Sequence, residues 1–115
     1  MTVLIYPKCS TCQKAVDWLK ASCADFELRN IKDENPTYEE LKDWTERSSL
    51  PLKRFFNTSG LLYKELELKD KLPTMSEDEQ LRLLATDGML VKRPLAVTDA
   101  EVIPGFKAAE WEKLL

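Results

Sequence analysis

Cys9 and Cys12 stand two residues apart in the stretch Pro7-Lys8-Cys9-Ser10-Thr11-Cys12-Gln13-Lys14. In a cytoplasmic chain, thiols at this spacing point to redox or metal chemistry. A thiol attacks only as thiolate, and a free cysteine keeps its proton up to a pKa of about 8.5. Three features of the stretch lower that value for Cys9. A helix starting at Ser10 aims its unpaired amide N–H groups, and the positive end of its dipole, at the Cys9 sulfur. Lys8 and Lys14 are cationic neighbours, and the hydroxyls of Ser10 and Thr11 can donate hydrogen bonds. Cys12 lies one turn further along the same helix, on its apolar stripe, so it is expected to be more buried and less acidic. Cys9 is therefore the nucleophile and Cys12 the resolving thiol, which attacks a mixed disulfide at Cys9 and expels the partner. The competing reading, two small core cysteines, fits less well a pair set between a strand and an amphipathic helix.

The rest of the composition narrows this chemistry. A chain of 115 residues, 43% hydrophobic and 32% charged, has room for one domain with a buried core, over residues 1–115. It contains no histidine. Ser-His-Asp and Cys-His pairs and histidine zinc sites are thereby excluded, and Cys9 has no imidazole to take its proton. The cysteines number three, which is odd for a secreted disulfide framework and too few for a four-ligand thiolate zinc site. Neither a metal nor a bound cofactor is expected. A formal charge of −3 offers no basic footprint for direct nucleic-acid binding. No apolar run approaches a membrane span, and Met1–Lys8 lacks the basic start of a signal peptide. A cytoplasmic protein with no membrane association is expected.

The elements that must position the cysteines can be read from periodicity. Thr2 to Tyr6 is a β-branched and apolar run ended by Pro7, which predicts a buried strand of the parallel kind. From Ser10 the period changes: Cys12, Ala15, Val16, Leu19 and Cys23 recur at helical spacing. Phe26, Leu28 and Asn30 then alternate with Glu27 and Arg29, a second strand that completes a βαβ unit. Thr37 with Glu40, and Ser76 with Glu79, have capping-box spacing and open two further helices; Asp87-Gly88 predicts a helix stop. Short helical pieces are expected between Leu52 and Leu72. Leu95 to Thr98, a turn at Asp99-Ala100, and Val102-Ile103 read as an antiparallel hairpin, and a last helix carries Phe106, Trp111 and Leu114. The order βαβ, helices, ββα describes an α/β, thioredoxin-like fold with a mixed sheet flanked by helices and a helical insertion over residues 36–87.

Other conspicuous residues have ordinary readings. Cys23, near the end of the first helix, is expected to be a buried structural cysteine. Arg93-Pro94 reads as a turn arginine and an edge-strand proline. Trp18, Trp44, Trp111 and the Phe55-Phe56 pair are expected to be packing residues.

Taken together, strand–Pro-x-Cys-x-x-Cys–helix, then Arg29-Asn30-Ile31, then Lys92-Arg93-Pro94 before an apolar strand, resembles the arsenate reductase-like ArsC/Spx family over essentially the whole chain. Phe55-Phe56-Asn57-Thr58-Ser59-Gly60 and Asp87 to Pro94 look closest to a small bacterial branch of arsenate reductase-like proteins. The resemblance implies that Pro94 is a cis-proline facing the cysteine loop, and that Arg93 beside it holds an anion or orients the site, which adds Arg93 to the helix amides and Lys8 or Lys14 as a source of activation for Cys9. It implies a thiol oxidoreductase reduced by thioredoxin, glutaredoxin or glutathione. The glutathione-dependent arsenate reductases of this family use one cysteine, matched by Cys9, and three arginines around the oxyanion. Arg93 matches one of these; Asn57 stands at another, and the last falls near Phe106-Lys107, with Arg54 or Lys107 as differently shaped substitutes. The Spx regulators share Cys-x-x-Cys here as a disulfide switch, which implies an alternative role in binding the RNA polymerase α subunit.

Overall fold

The computed structural model describes residues 1–115. Its four strands are β1 (Thr2–Ile5), β2 (Glu27–Asn30), β3 (Leu95–Val97) and β4 (Val102–Pro104), and they form one sheet in the order β2-β1-β3-β4. β1 runs parallel to β2 and antiparallel to β3, and β3 is antiparallel to β4. The apolar run of β1 is explained by this placement, since an interior strand is covered on both faces. Leu4 points into one core with Leu95 and Val102, while Val3 and Ile5 point into the other with Ala96 and Ile103. Alternation with period two thus divides the apolar residues between two cores. The expected mixed sheet flanked by helices is present.

The smaller core lies under α1 (Ser10–Ala21), whose buried residues are Cys12, Ala15, Val16 and Leu19. Trp111 of the short helix α6 (Ala108–Trp111) is fully buried against it. The larger core is closed by the segment between β2 and β3. That segment holds α2 (Tyr38–Ser48), α3 (Leu61–Glu65), α4 (Leu68–Lys71) and α5 (Glu77–Leu84), with short 3-10 turns at Leu52–Phe55, Leu72–Thr74 and Gly88–Leu90. Both predicted capping boxes form, at Thr37 with Glu40 and at Ser76 with Glu79. Phe55 and Phe56 are buried in the larger core, and a bridge between Phe56 and Val91 ties the insertion to the approach of β3.

The last helix is shorter than its apolar spacing implies: Phe106 precedes α6, and Leu114 follows it in a 3-10 turn at Glu112–Leu114. Three further expectations are corrected. Cys23 is exposed, not buried. α1 ends at Ala21, and Cys23 follows its cap in the left-handed region at φ 55°. There the Cys23 amide donates to the Lys20 carbonyl and the Ala24 amide to the Leu19 carbonyl. This is the Schellman pattern, and it turns the side chain off the apolar stripe that the spacing had assigned to it. Asp87-Gly88 does not stop α5, which is already capped at Ala85; Asp87 instead accepts from the Met89 amide to start the next turn. Gly88 is needed because a Cβ there would lie 1.7 Å from the Ile31 carbonyl oxygen. Pro94 is not on an edge strand: it precedes β3, which is interior, so its missing N–H costs the ladder nothing.

These two backbone features carry opposite expectations for stability. Gly88→Ala forces backbone apart and should lower the unfolding free energy by about 3 kcal/mol or more. Cys23→Gly relieves a left-handed residue and should raise it by about 1 kcal/mol. The shift of the urea midpoint, measured at unchanged m-value, checks both.

Candidate active site

Cys9 occupies the N-cap of α1, with extended backbone at φ −90° and ψ 119°. Its amide donates to the Tyr6 carbonyl at 2.9 Å, and its carbonyl accepts from the Gln13 amide at 3.2 Å. The chain therefore turns tightly from β1 into the helix, and the sulfur sits over the first helical turn. No fully formed capping bond closes on the thiol, yet the amides of Thr11 and Cys12 face it and favour its anion. Partial burial works against the Cys9 thiolate. The Cys12 amide and thiol, the Arg93 charge and the Thr11 amide together outweigh that burial, so the pKa lies below the ordinary cysteine value. Cys12 is its opposite. Burial first, and the neighbouring Cys9 next, push its pKa up to about 12.

Arg93 reaches the cysteines through the sheet. Antiparallel pairing of Thr2 with Val97 and Leu4 with Leu95, continued two residues further, sets Arg93 beside Tyr6. Its guanidinium carbon indeed lies 5.2 Å over the Tyr6 ring. One terminal nitrogen donates weakly to the Met89 carbonyl at 3.4 Å, and the buried Nε has no partner. The Arg93–Pro94 peptide is cis. The Gly105 amide donates to the Pro94 carbonyl at 2.8 Å, extending the β3–β4 register past the strands. Trp111 holds that loop by donating from its indole N–H to the Gly105 carbonyl at 2.9 Å. Trp18, Phe106 and Trp111 stack edge to face, with Phe106 and Trp111 centroids 5.0 Å apart, so α1 and the C-terminal turn stay in contact.

On the other side the Lys92 amide donates to the Phe55 carbonyl at 2.7 Å and the Asn57 amide to the Leu90 carbonyl at 2.8 Å. This staple brings the end of the Leu52–Phe55 turn next to Arg93. The result is an open cleft of about 480 Å³ with Cys9 and Thr11 at one wall. Arg54, Asn57 and Ser59 come from the insertion, Lys92 and Arg93 from the approach to β3, Phe106 and Lys107 from the loop after β4, and Glu110 from α6.

A profile of the ArsC family matches residues 4–114. The chain belongs to the ArsC family. A structure of an ArsC family related protein from Bacteroides fragilis is 60% identical, with a TM-score of 0.97 over 99% of this chain and 96% of the other. A structure described as a possible arsenate reductase from Streptococcus mutans is 46% identical, with a TM-score of 0.90 over 98% of this chain and 95% of the other. Among curated relatives, the regulatory protein MgsR of Bacillus subtilis is 32% identical over 99% of this chain and 89% of its own length. The thioredoxin-like fold of these ArsC neighbours is the fold of this chain.

Within this ArsC fold, the structure groups Cys9, Cys12, Thr11 and Arg93 and leaves others aside. Lys8, in the turn before α1, and Ser10 and Lys14, on its first turns, are exposed and do not line the cleft. The cation acting on Cys9 is Arg93, and Thr11 acts through its amide rather than its hydroxyl. Pro94 is buried behind Arg93 and shapes the loop. Ser59, Lys92 and Glu110 were not singled out by sequence reasoning. Lys92 and Ser59 had a signal in the motifs Lys92-Arg93-Pro94 and Phe55-Phe56-Asn57-Thr58-Ser59-Gly60, but Glu110 reaches the cleft only through long-range folding.

The difference between the two thiols has a direct readout. At pH 7, iodoacetamide should modify Cys9 and the exposed Cys23 and spare Cys12, as mapped by mass spectrometry. Arg93→Ala removes a charge that favours the thiolate, so the Cys9 pKa rises and its alkylation at pH 7 slows about tenfold per unit of that rise. An unchanged Cys9 rate in Arg93→Ala would show that the guanidinium does not act on the sulfur.

Proposed function

We propose that this protein is a thiol–disulfide oxidoreductase of the arsenate reductase-like type, with Cys9 as nucleophile and Cys12 as resolving thiol. One observation carries the reading: two adjacent thiols whose acidities are driven apart, the acidic one open to a cationic cleft and the other buried. The Cys9 thiolate attacks one sulfur of an oxidised partner. The partner's S–S bond breaks, its other sulfur leaves as thiolate, and a mixed disulfide forms on Cys9. Cys12 then gives its proton to the departing thiolate or to water and attacks the Cys9 sulfur. A Cys9–Cys12 disulfide forms, the second half of the partner leaves as a thiolate, and two electrons have moved to the partner.

The same groups favour this order of events. While Cys9 is a thiolate, its charge and its hydrogen bond help keep Cys12 protonated. Once Cys9 is tied up in the mixed disulfide, both effects vanish and the Arg93 charge favours ionisation of Cys12. Thioredoxin, glutaredoxin or two molecules of glutathione would return the electrons. A dithiol that works in its reduced form suits the reducing cytoplasm, and no helix is long and apolar enough to cross a membrane.

A second reading has its own support. MgsR, a regulatory protein, shares 32% identity over nearly the whole chain. In that role the Cys9–Cys12 couple would switch a docking surface for the RNA polymerase α subunit. Capture of purified α subunit by the oxidised or the reduced protein, against the Cys9→Ser variant, separates regulator from enzyme.

For the oxidoreductase, Cys12→Ser should stop the cycle at a stable mixed disulfide on Cys9, visible by mass. With Cys12 present, resolution should quicken as the pH is raised from 6 to 9, because only the thiolate fraction of a thiol whose burial raises its pKa attacks. Full turnover by Cys9→Ser would overturn the mechanism.

A further inference from the structure

The cleft beside Cys9 is more cationic than one catalytic arginine requires. Four basic side chains, Arg54, Lys92, Arg93 and Lys107, line it against one carboxylate, Glu110, in a chain whose net charge is −3. Only Arg93 acts on the Cys9 sulfur. The other three are spent on nothing else, since the chain's three ion pairs are Arg29–Glu40, Arg47–Asp43 and Arg82–Asp78. They also come from three separate segments, drawn together by the Lys92–Phe55 bond and the Gly105–Pro94 bond. Gly105 leaves room for the Lys92 stem: a Cβ there would lie 3.3 Å from Lys92 Cε. Basic groups left unpaired in one concave site concentrate positive potential at its mouth.

We propose that Arg54, Lys92 and Lys107 select the oxidised partner by charge, so that the preferred substrate is a low-molecular-weight disulfide bearing carboxylates beside its S–S bond. This rests on the oxidoreductase reading and adds the substrate class to it. A cleft of about 480 Å³ is of the size that holds a small molecule. As Cys9 attacks, the S–S bond breaks, one half stays bound as Cys9–S–S–R with its carboxylate among the three cations, and the other half leaves as thiolate. Glu110 works in the opposite sense, repelling carboxylates and attracting amines.

The test compares Cys9 reaction rates with three disulfides of similar size: dithiodipropionate (anionic), bis(2-hydroxyethyl) disulfide (neutral) and cystamine (cationic). Rates are divided by those of an unfolded cysteine peptide and corrected for the thiolate fraction, read from ultraviolet absorbance. The anion-to-cation ratio should exceed that of the peptide by about tenfold or more at low salt and shrink toward it at high salt. Arg54→Gln, Lys92→Gln and Lys107→Gln should each lower the ratio about two- to fivefold. Glu110→Gln should raise it, and Lys20→Gln, outside the cleft, should leave it unchanged. A parent ratio equal to the peptide's, with all three disulfides reacting, overturns charge selection while the redox reading stands. So do cleft variants that leave the ratio where it was. Failure of Cys9 to react with any of the three overturns the redox reading and the proposal with it.

Discussion

The antiparallel register between β1 and β3 is the constraint on which the site depends. Pairing Leu4 with Leu95 decides that the chain leaving β1 toward Cys9 runs beside the chain entering β3 from Arg93. A shift of one residue would exchange the faces of Val3, Leu4 and Ile5 between the two cores, so burial on both sides of the sheet enforces the register. The β3–β4 register then extends the same geometry by one strand. It sets Gly105 against Pro94 and carries the loop with Phe106 and Lys107 to the cleft. Two hydrophobic cores thus specify the distance between a thiol and a guanidinium.

The absence of histidine gives that distance its chemical meaning. With no imidazole to take a proton, Cys9 depends on groups whose charge does not change near neutral pH: helix amides and an arginine. The Arg93 guanidinium packs over Tyr6 and donates to the Met89 carbonyl, but no carboxylate pairs with its charge. The lowered pKa of one thiol and the raised pKa of its neighbour arise within one turn of helix. The N-cap position faces the amides, and the position three residues on faces the core.

Much of this was legible in the chain. The strand of Thr2 to Tyr6, the helix from Ser10, both capping boxes and the hairpin at Asp99-Ala100 follow from period and local chemistry, and each is present. The misreadings share a cause. Cys23 continues the helical period in sequence, but the Schellman turn ends the helix before it. Gly88 looked like a helix stop, whereas its smallness answers to the Ile31 carbonyl, 57 residues away in the chain. Of the cations expected to act on Cys9, Arg93 faces it, whereas Lys8 and Lys14, its neighbours in sequence, stay outside the cleft.

The sequence by itself determined that Cys9 and Cys12 lie at a helix start, one before it and the other on its apolar stripe, because helix period, capping and thiol spacing are local properties. Tertiary structure decided that Arg93, rather than Lys8 or Lys14, is the cation at the sulfur and that Arg54, Lys92 and Lys107 line one cleft with it. Those residues come from segments far apart in the chain. Only strand register and the Phe55–Lys92 pairing, both products of burying two cores at once, bring their charges within reach of one another.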